Sequence, residues 1–98
     1  MVEEKEIDNN SIPIGKEVTI FRSLLNCTQQ DFANLLLLNR VTISKLEQAN
    51  QVTTDIAFRL YYATQKIIEN QNREEYIKYH AKKLQYRIDK ILQDRMAP

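Results

Sequence analysis

From Thr28 to Ala49 the chain reads Thr-Gln-Gln-Asp-Phe-Ala-Asn-Leu-Leu-Leu-Leu-Asn-Arg-Val-Thr-Ile-Ser-Lys-Leu-Glu-Gln-Ala, and no other stretch constrains the fold as much. Thr28 is an N-cap residue, with Asp31 three positions on to return a bond to the cap's backbone N–H, a short-side-chain capping box. Phe32, Ala33 and Leu36 then share one face of a helix. Asn39 is a second N-cap, and Ile43 and Leu46 point inward from the helix it starts. Arg40, Val41, Thr42, Ser44 and Lys45 fall on the other faces. Two short amphipathic helices therefore meet at a tight connection, and the second presents polar side chains outward.

The flanking patterns extend this to a chain that is all-α. Ile14, Val18, Phe21 and Leu25, with Leu24 beside them, recur at spacings of four, three and four, and Pro13 suits the first turn of that helix. After a polar connector, Thr54 is the expected N-cap of a fourth helix carrying Ile56, Leu60, Ala63 or Thr64, and Ile67. Asn72 with Glu75 is the expected capping pair of a fifth, over residues 73 to 95. With one Gly and two Pro in 98 residues, few sharp turns are available. Plentiful Leu, Gln, Lys, Glu and Ile favour helix throughout.

Several classes of function are excluded by what the sequence lacks. A single Cys27 permits no internal disulfide and fits a reducing compartment; it reads as a small buried thiol. His80 has no Cys, Asp or second His at ligand spacing, so no metal is expected. No Ser/His/Asp set and no phosphate-cradling Gly loop is present, so the chain is not read as an enzyme and no cofactor is implied. No apolar run is long enough to span a bilayer and the acidic start is wrong for a signal peptide, so no membrane role is expected and the cytoplasm follows by elimination. Net charge is only +1, yet its distribution is uneven. Glu3, Glu4, Glu6 and Asp8 oppose Lys5 at the start, while the region from Arg73 onward is basic.

From Ile14 to Ala49 the chain resembles, without gaps, the lambda-repressor-like (Cro/XRE-type) helix-turn-helix proteins. The resemblance rests on Ile14-Gly15, Val18, Arg22, Thr28-Gln29, Phe32-Ala33, Leu36, Leu38, Ile43 and Leu46-Glu47. It implies a compact helix-turn-helix bundle of about four helices, followed here by a long C-terminal amphipathic helix. It further implies sequence-specific binding of double-stranded DNA by a regulator, a repressor, whose third helix lies in the major groove. By position, Arg40, Val41, Thr42 and Lys45 stand where bases are read, with Gln29, Asn39 and Ser44 as further DNA-facing residues. Arg22 and Glu47 match a structural salt bridge. The chemistry of these side chains agrees: Arg40 can bond both acceptors of guanine, Val41 offers a methyl surface to thymine, and Lys45 reaches a base or a phosphate. N–H groups at the helix N-termini of Thr28 and Asn39 suit phosphate oxygens. Two positions depart from the pattern. Leu37 and Ala49 stand where these proteins commonly place glycine, so the turns there are expected to be strained or remodelled. Of the four leucines, Leu36 and Leu38 fit the core, leaving Leu35 or Leu37 for the surface.

The expected organisation is a loose acidic arm over residues 1–12, a helix-turn-helix domain over 13–70, and a C-terminal helix over 71–98. Ile77, Ala81, Leu84, Ile88 and Ile91 follow heptad spacing. Two uses of that seam are open: it can fold back to cap its own domain, or it can join two copies into a homodimer. A third possibility keeps the fold but changes the function. The chain would then be a protein-interaction module, such as an antitoxin or assembly adaptor, with the last helix and the extra leucines gripping a protein partner. The five tyrosines read as packing or interface residues.

Overall fold

A computed structural model of the chain describes residues 12–97, and they form five α-helices with no strand among them. They are α1 (Ile14–Leu24), α2 (Gln29–Leu36), α3 (Arg40–Ala49), α4 (Thr54–Glu69) and α5 (Glu75–Met96). The expected loose arm lies, except for Ile12, outside the described residues.

The helix starts follow local chemistry. Thr28 Oγ accepts from the Asp31 N–H at 3.0 Å and the Asp31 carboxylate accepts from the Thr28 N–H at 3.2 Å, so the capping box closes in both directions. Asn39 Oδ1 accepts from the Thr42 N–H at 2.8 Å and starts α3. Three expected starts are corrected. Pro13 precedes α1 in extended conformation (φ −61°, ψ 150°) and supplies only its carbonyl, to Lys16 and Glu17. The cap of α4 is Thr53, not Thr54, because Thr53 is the residue still extended and its Oγ faces the Ile56 N–H at 3.1 Å. The Asn72–Glu75 pair does not form: the Asn72 N–H donates to Asn70 Oδ1 within a tight turn, and α5 begins at Glu75 behind an uncapped Glu74.

One apolar core joins all five helices. Val18 and Phe21 of α1, Phe32 and Leu36 of α2, Ile43 and Leu46 of α3, Leu60 of α4, and Leu84 and Ile88 of α5 belong to it. The rings of Phe21 and Phe32 meet edge to face, 6.3 Å between centroids. The longest helices, α4 and α5, pack along one another, and α5 also lies against α1.

This placement decides between the two uses of the heptad seam. Ile77, Ala81, Leu84 and Ile88 are buried inside their own chain and Ile91 is half-buried, so of the two uses left open the seam takes the one that folds it back onto its own domain. The reason is the partner it finds: α4 turns Leu60, Ala63 and Thr64 inward, giving α5 an intramolecular surface to cover. Helix α5 thus shares the core of the residues before it. A part-buried ion pair also fastens α5 to α1. Glu17 of α1, whose side chain is 2% exposed, accepts from Arg87 Nη1 of α5 at 3.1 Å.

Candidate functional site

The site is the outward face of α3, and its precision depends on how α3 is held from behind. Arg22 of α1 grips Glu47 of α3 with two bonds, Nε to Oε2 at 2.7 Å and Nη2 to Oε1 at 3.1 Å. A third bond, from Arg22 Nη1 to the Cys27 carbonyl at 2.9 Å, ties in the loop before α2. Gln29 Nε2 of α2 donates to the same Glu47 Oε1 at 3.0 Å. One carboxylate therefore collects three helices. Burial alone would raise the Glu47 carboxyl, but the bonds from Arg22 and then Gln29 outweigh it and hold Glu47 below the usual carboxylate range. The expected Arg22–Glu47 bridge is present, and Gln29 completes it.

The far end of α3 is fixed by contact of another kind. Gly15 lies so close to it that a Cβ would fall 2.6 Å from the Leu46 carbonyl and nearer still to that of Glu47. The Gly15 N–H donates to Asn50 Oδ1 at 2.8 Å. Asn50, not Ala49, takes the left-handed conformation that ends α3 (φ 56°), so the position where glycine is expected stays helical and the chain turns one residue later. At the near end Leu37 is left-handed itself (φ 60°, ψ 41°). The turn keeps its glycine-like shape with a leucine in it, and both Leu35 and Leu37 are exposed while Leu38 is half-buried.

On this rigid support Arg40, Val41 and Lys45 are exposed, and Thr42 and Ser44 are half-buried beside them. Among the described residues neither Arg40 nor Lys45 meets a carboxylate. Asn39 is occupied: besides capping, its Oδ1 accepts from Thr42 Oγ1 at 2.9 Å, so its first task is to order the first turn of α3. The caps Thr28 and Asn39 satisfy the third N–H of α2 and of α3. In α3 that leaves the N–H groups of Arg40 and Val41 pointing out beside a neutral cap and a cation, a place that suits an anion. At the start of α2 the Asp31 carboxylate, bonded to the Thr28 N–H, places a negative charge beside the first turn, which suits an anion less well.

The remaining sequence candidates lie elsewhere. Cys27 is half-buried and its thiol is pushed up by burial and then by Asp31, which keeps it protonated near neutrality. His80 is held below its ordinary value by burial and then by Lys83, against the opposing pull of Glu17; its Nδ1 is buried and makes no hydrogen bond. None of the five tyrosines is buried in the core, and their exposure runs from 37% for Tyr61 to 64% for Tyr62. Three sit one turn from a lysine whose ammonium lies over the ring: Tyr62 with Lys66, Tyr79 with Lys83, Tyr86 with Lys90, at 5.3–5.8 Å. No described helix is long and apolar enough to cross a membrane.

Three features of the site escaped sequence reasoning. The Gln29–Glu47 bond joins positions assigned to different tasks. Asn50 belongs to the polar connector after α3, and nothing in the sequence hints that its amide reaches back to Gly15. The guanidinium of Arg59, which donates from Nη1 to the carbonyls of Leu36 (3.0 Å) and Leu37 (3.4 Å), sits on a helix whose polar face carries no motif. No protein-family model, curated protein or solved structure matches this chain.

Proposed function

We propose that the chain is a sequence-specific regulator that binds double-stranded DNA, with α2 and α3 acting as a helix-turn-helix and α3 entering the major groove. The observation that carries this reading is the exposed first turn of α3, Arg40-Val41-Thr42, on a helix braced from behind by Arg22, Gln29 and Glu47. A reading helix must hold its side chains at fixed positions against base edges, and an ordinary solvated face has no need of such a brace. The ungapped resemblance to lambda-repressor-like domains supports the same assignment. Arg40 reads guanine, Thr42 and Val41 the neighbouring bases, and Lys45 a base or phosphate; Gln29, Asn39 and Ser44 orient or assist.

A bacterial or phage-type repressor of this kind acts as a homodimer on half-sites about one helical turn apart. Since the α5 seam faces inward, two copies would have to meet through another surface. The cytoplasm is the compartment that fits this role. The test is selection of duplexes from a random pool. A recurring sequence is expected; if saturating protein prefers no duplex over any other at low salt, the reading fails.

A second reading, a protein-interaction module on the same fold, is favoured by one observation. Phe58 and Tyr61 of α4 with Leu92 and Met96 of α5 line an open, mostly apolar cleft of about 390 Å³ on a part of the molecule that α3 does not contribute to. A stably co-purifying protein whose loss follows Phe58→Ala, with DNA binding unaffected by changes at Arg40 and Lys45, would favour it.

A further inference from the structure

Three non-glycine residues among those described hold a left-handed backbone: Asn26, Leu37 and Asn50, with φ of 59°, 60° and 56°. Each follows the end of a helix. After α1 and α2 the bonding is the same. The Cys27 N–H reaches the Arg22 carbonyl and the Asn26 N–H that of Ser23, while the Leu38 N–H reaches the Ala33 carbonyl and the Leu37 N–H that of Asn34. Asparagine tolerates this conformation better than other side chains, and the chain uses it at two of the three places. Leucine has no such compensation.

Nor is Leu37 rewarded by burial. At 80% it is the most exposed large apolar side chain among the described residues. Folding therefore penalises its backbone and gains almost nothing from its side chain. Its position is nevertheless fixed. Arg59 holds the carbonyls on either side of the Leu36–Leu37 step, and Asp55 holds Arg59 in turn, Nε to Oδ2 at 2.9 Å. A strained, unburied and firmly held apolar residue fits a contact outside the chain. It stands two residues before the cap of α3, and Val41, 52% exposed, stands two residues after that cap.

We propose that Leu37, together with Val41, contacts C5-methyl groups of thymine beside the base that Arg40 reads, so that the preferred duplex carries thymine there. The inference rests on the DNA-binding reading above and adds a specificity-determining residue to it. The reasoning is chemical. In the major groove the thymine methyl is the one apolar group that base edges offer, so an apolar side chain at the mouth of a reading helix has that group to recognise.

The experiment uses the full chain and the duplex it selects from a random pool. Each thymine is replaced in turn by uracil, which removes only the methyl group, and affinity is measured for the unaltered protein, Leu37→Gly and Leu37→Asn. Both replacements accept a left-handed backbone, so both are expected to fold. The unaltered protein should lose about fourfold in affinity at one or two thymines, the worth of one methyl buried. At one of these both variants should bind the thymine duplex correspondingly weaker and be indifferent to uracil. Variants as sensitive to uracil at every thymine as the unaltered protein would overturn the assignment while leaving the DNA reading intact. Variants that keep full affinity for the thymine duplex but lose self-association or a protein partner would overturn it in favour of a protein contact. Failure of the unaltered protein to select any duplex would overturn the reading and the assignment together, and is recognisable before uracil is introduced.

Discussion

Helices α1 to α3 are short and are tied at their ends by charged and amide side chains, whereas α4 and α5 are long and meet mainly through apolar ones. In the first region Glu47 collects Arg22 and Gln29, and Asn50 reaches Gly15. In the second, Leu60, Ala63, Leu84 and Ile88 are buried with few polar cross-links; Gln85 to Gln65 at 2.9 Å is one. Hydrogen bonds are directional and fix angles and register, while apolar burial is non-directional and supplies most of the stability. The contrast assigns tasks. The α4–α5 pair adds a long apolar contact to the core that all five helices share, and the polar bracket sets where α3 stands.

The comparison can be broken where its effects are largest. Leu84→Ala removes a fully buried side chain between α4 and α5 and should lower stability by about 2–5 kcal/mol, read as a shift of the denaturant midpoint. A smaller loss there, with α3 disturbed instead, would mean the two regions do not divide the work in this way. Glu47→Ala should come next, at about 2–3 kcal/mol, discounted from a fully buried pair because Arg22 retains some solvent contact. Its distinguishing mark is pH. Because the folded carboxyl is held below its unfolded value of about 4.3, Glu47 contributes stability above that pH and loses it as pH falls through the folded value. Denaturation followed between pH 7 and 3 should show a shallower acid loss in Glu47→Ala than in the unaltered chain. Thr53→Ala should cost about 1 kcal/mol through loss of the α4 cap, and Thr54→Ala distinctly less, by the same measurement. At the small end, Leu37→Gly should raise stability by about 1 kcal/mol, since it relieves a left-handed leucine that burial does not reward.

The same division explains what could be read in advance. Apolar periodicity located all five helices, because Val18 and Phe21, Phe32 and Leu36, Ile43 and Leu46, Ile56 and Leu60, and Leu84 and Ile88 recur three or four positions apart, as a helix requires. The caps at Thr28 and Asn39 were legible because a single side chain and a backbone N–H three residues away decide them. Thr53 and Thr54 were not separable that way: both can cap, and only the path of the chain from Val52 makes the first of them extended. The orientation of α5 was open for a similar reason. A heptad seam states that Ile77, Ala81, Leu84 and Ile88 want an apolar partner, and not whether that partner is α4 or a second copy. The bracket behind α3 was half legible. Arg22 and Glu47 carried a pattern, but the meeting of Gly15 with Asn50, 35 positions apart, and of Arg59 with the Leu36–Leu37 carbonyls depends on the assembled fold. Of the α3 face, the sequence supplied the residues and the structure supplied the brace that holds them still.

The central claim is that this braced face reads bases, and Arg40 tests it most directly. Arg40 is exposed and its side chain makes no ion pair among the described residues, so Arg40→Ala leaves folding intact while removing the proposed guanine contact. Affinity should be measured for both proteins against the selected duplex and against each single base-pair change in it, at one salt concentration. The account predicts a loss of about 1–3 kcal/mol for Arg40→Ala, together with loss of discrimination at a single guanine position and unchanged discrimination elsewhere. An equal weakening across every sequence would reduce Arg40 to a phosphate contact, and no change at all would contradict the claim that α3 reads DNA.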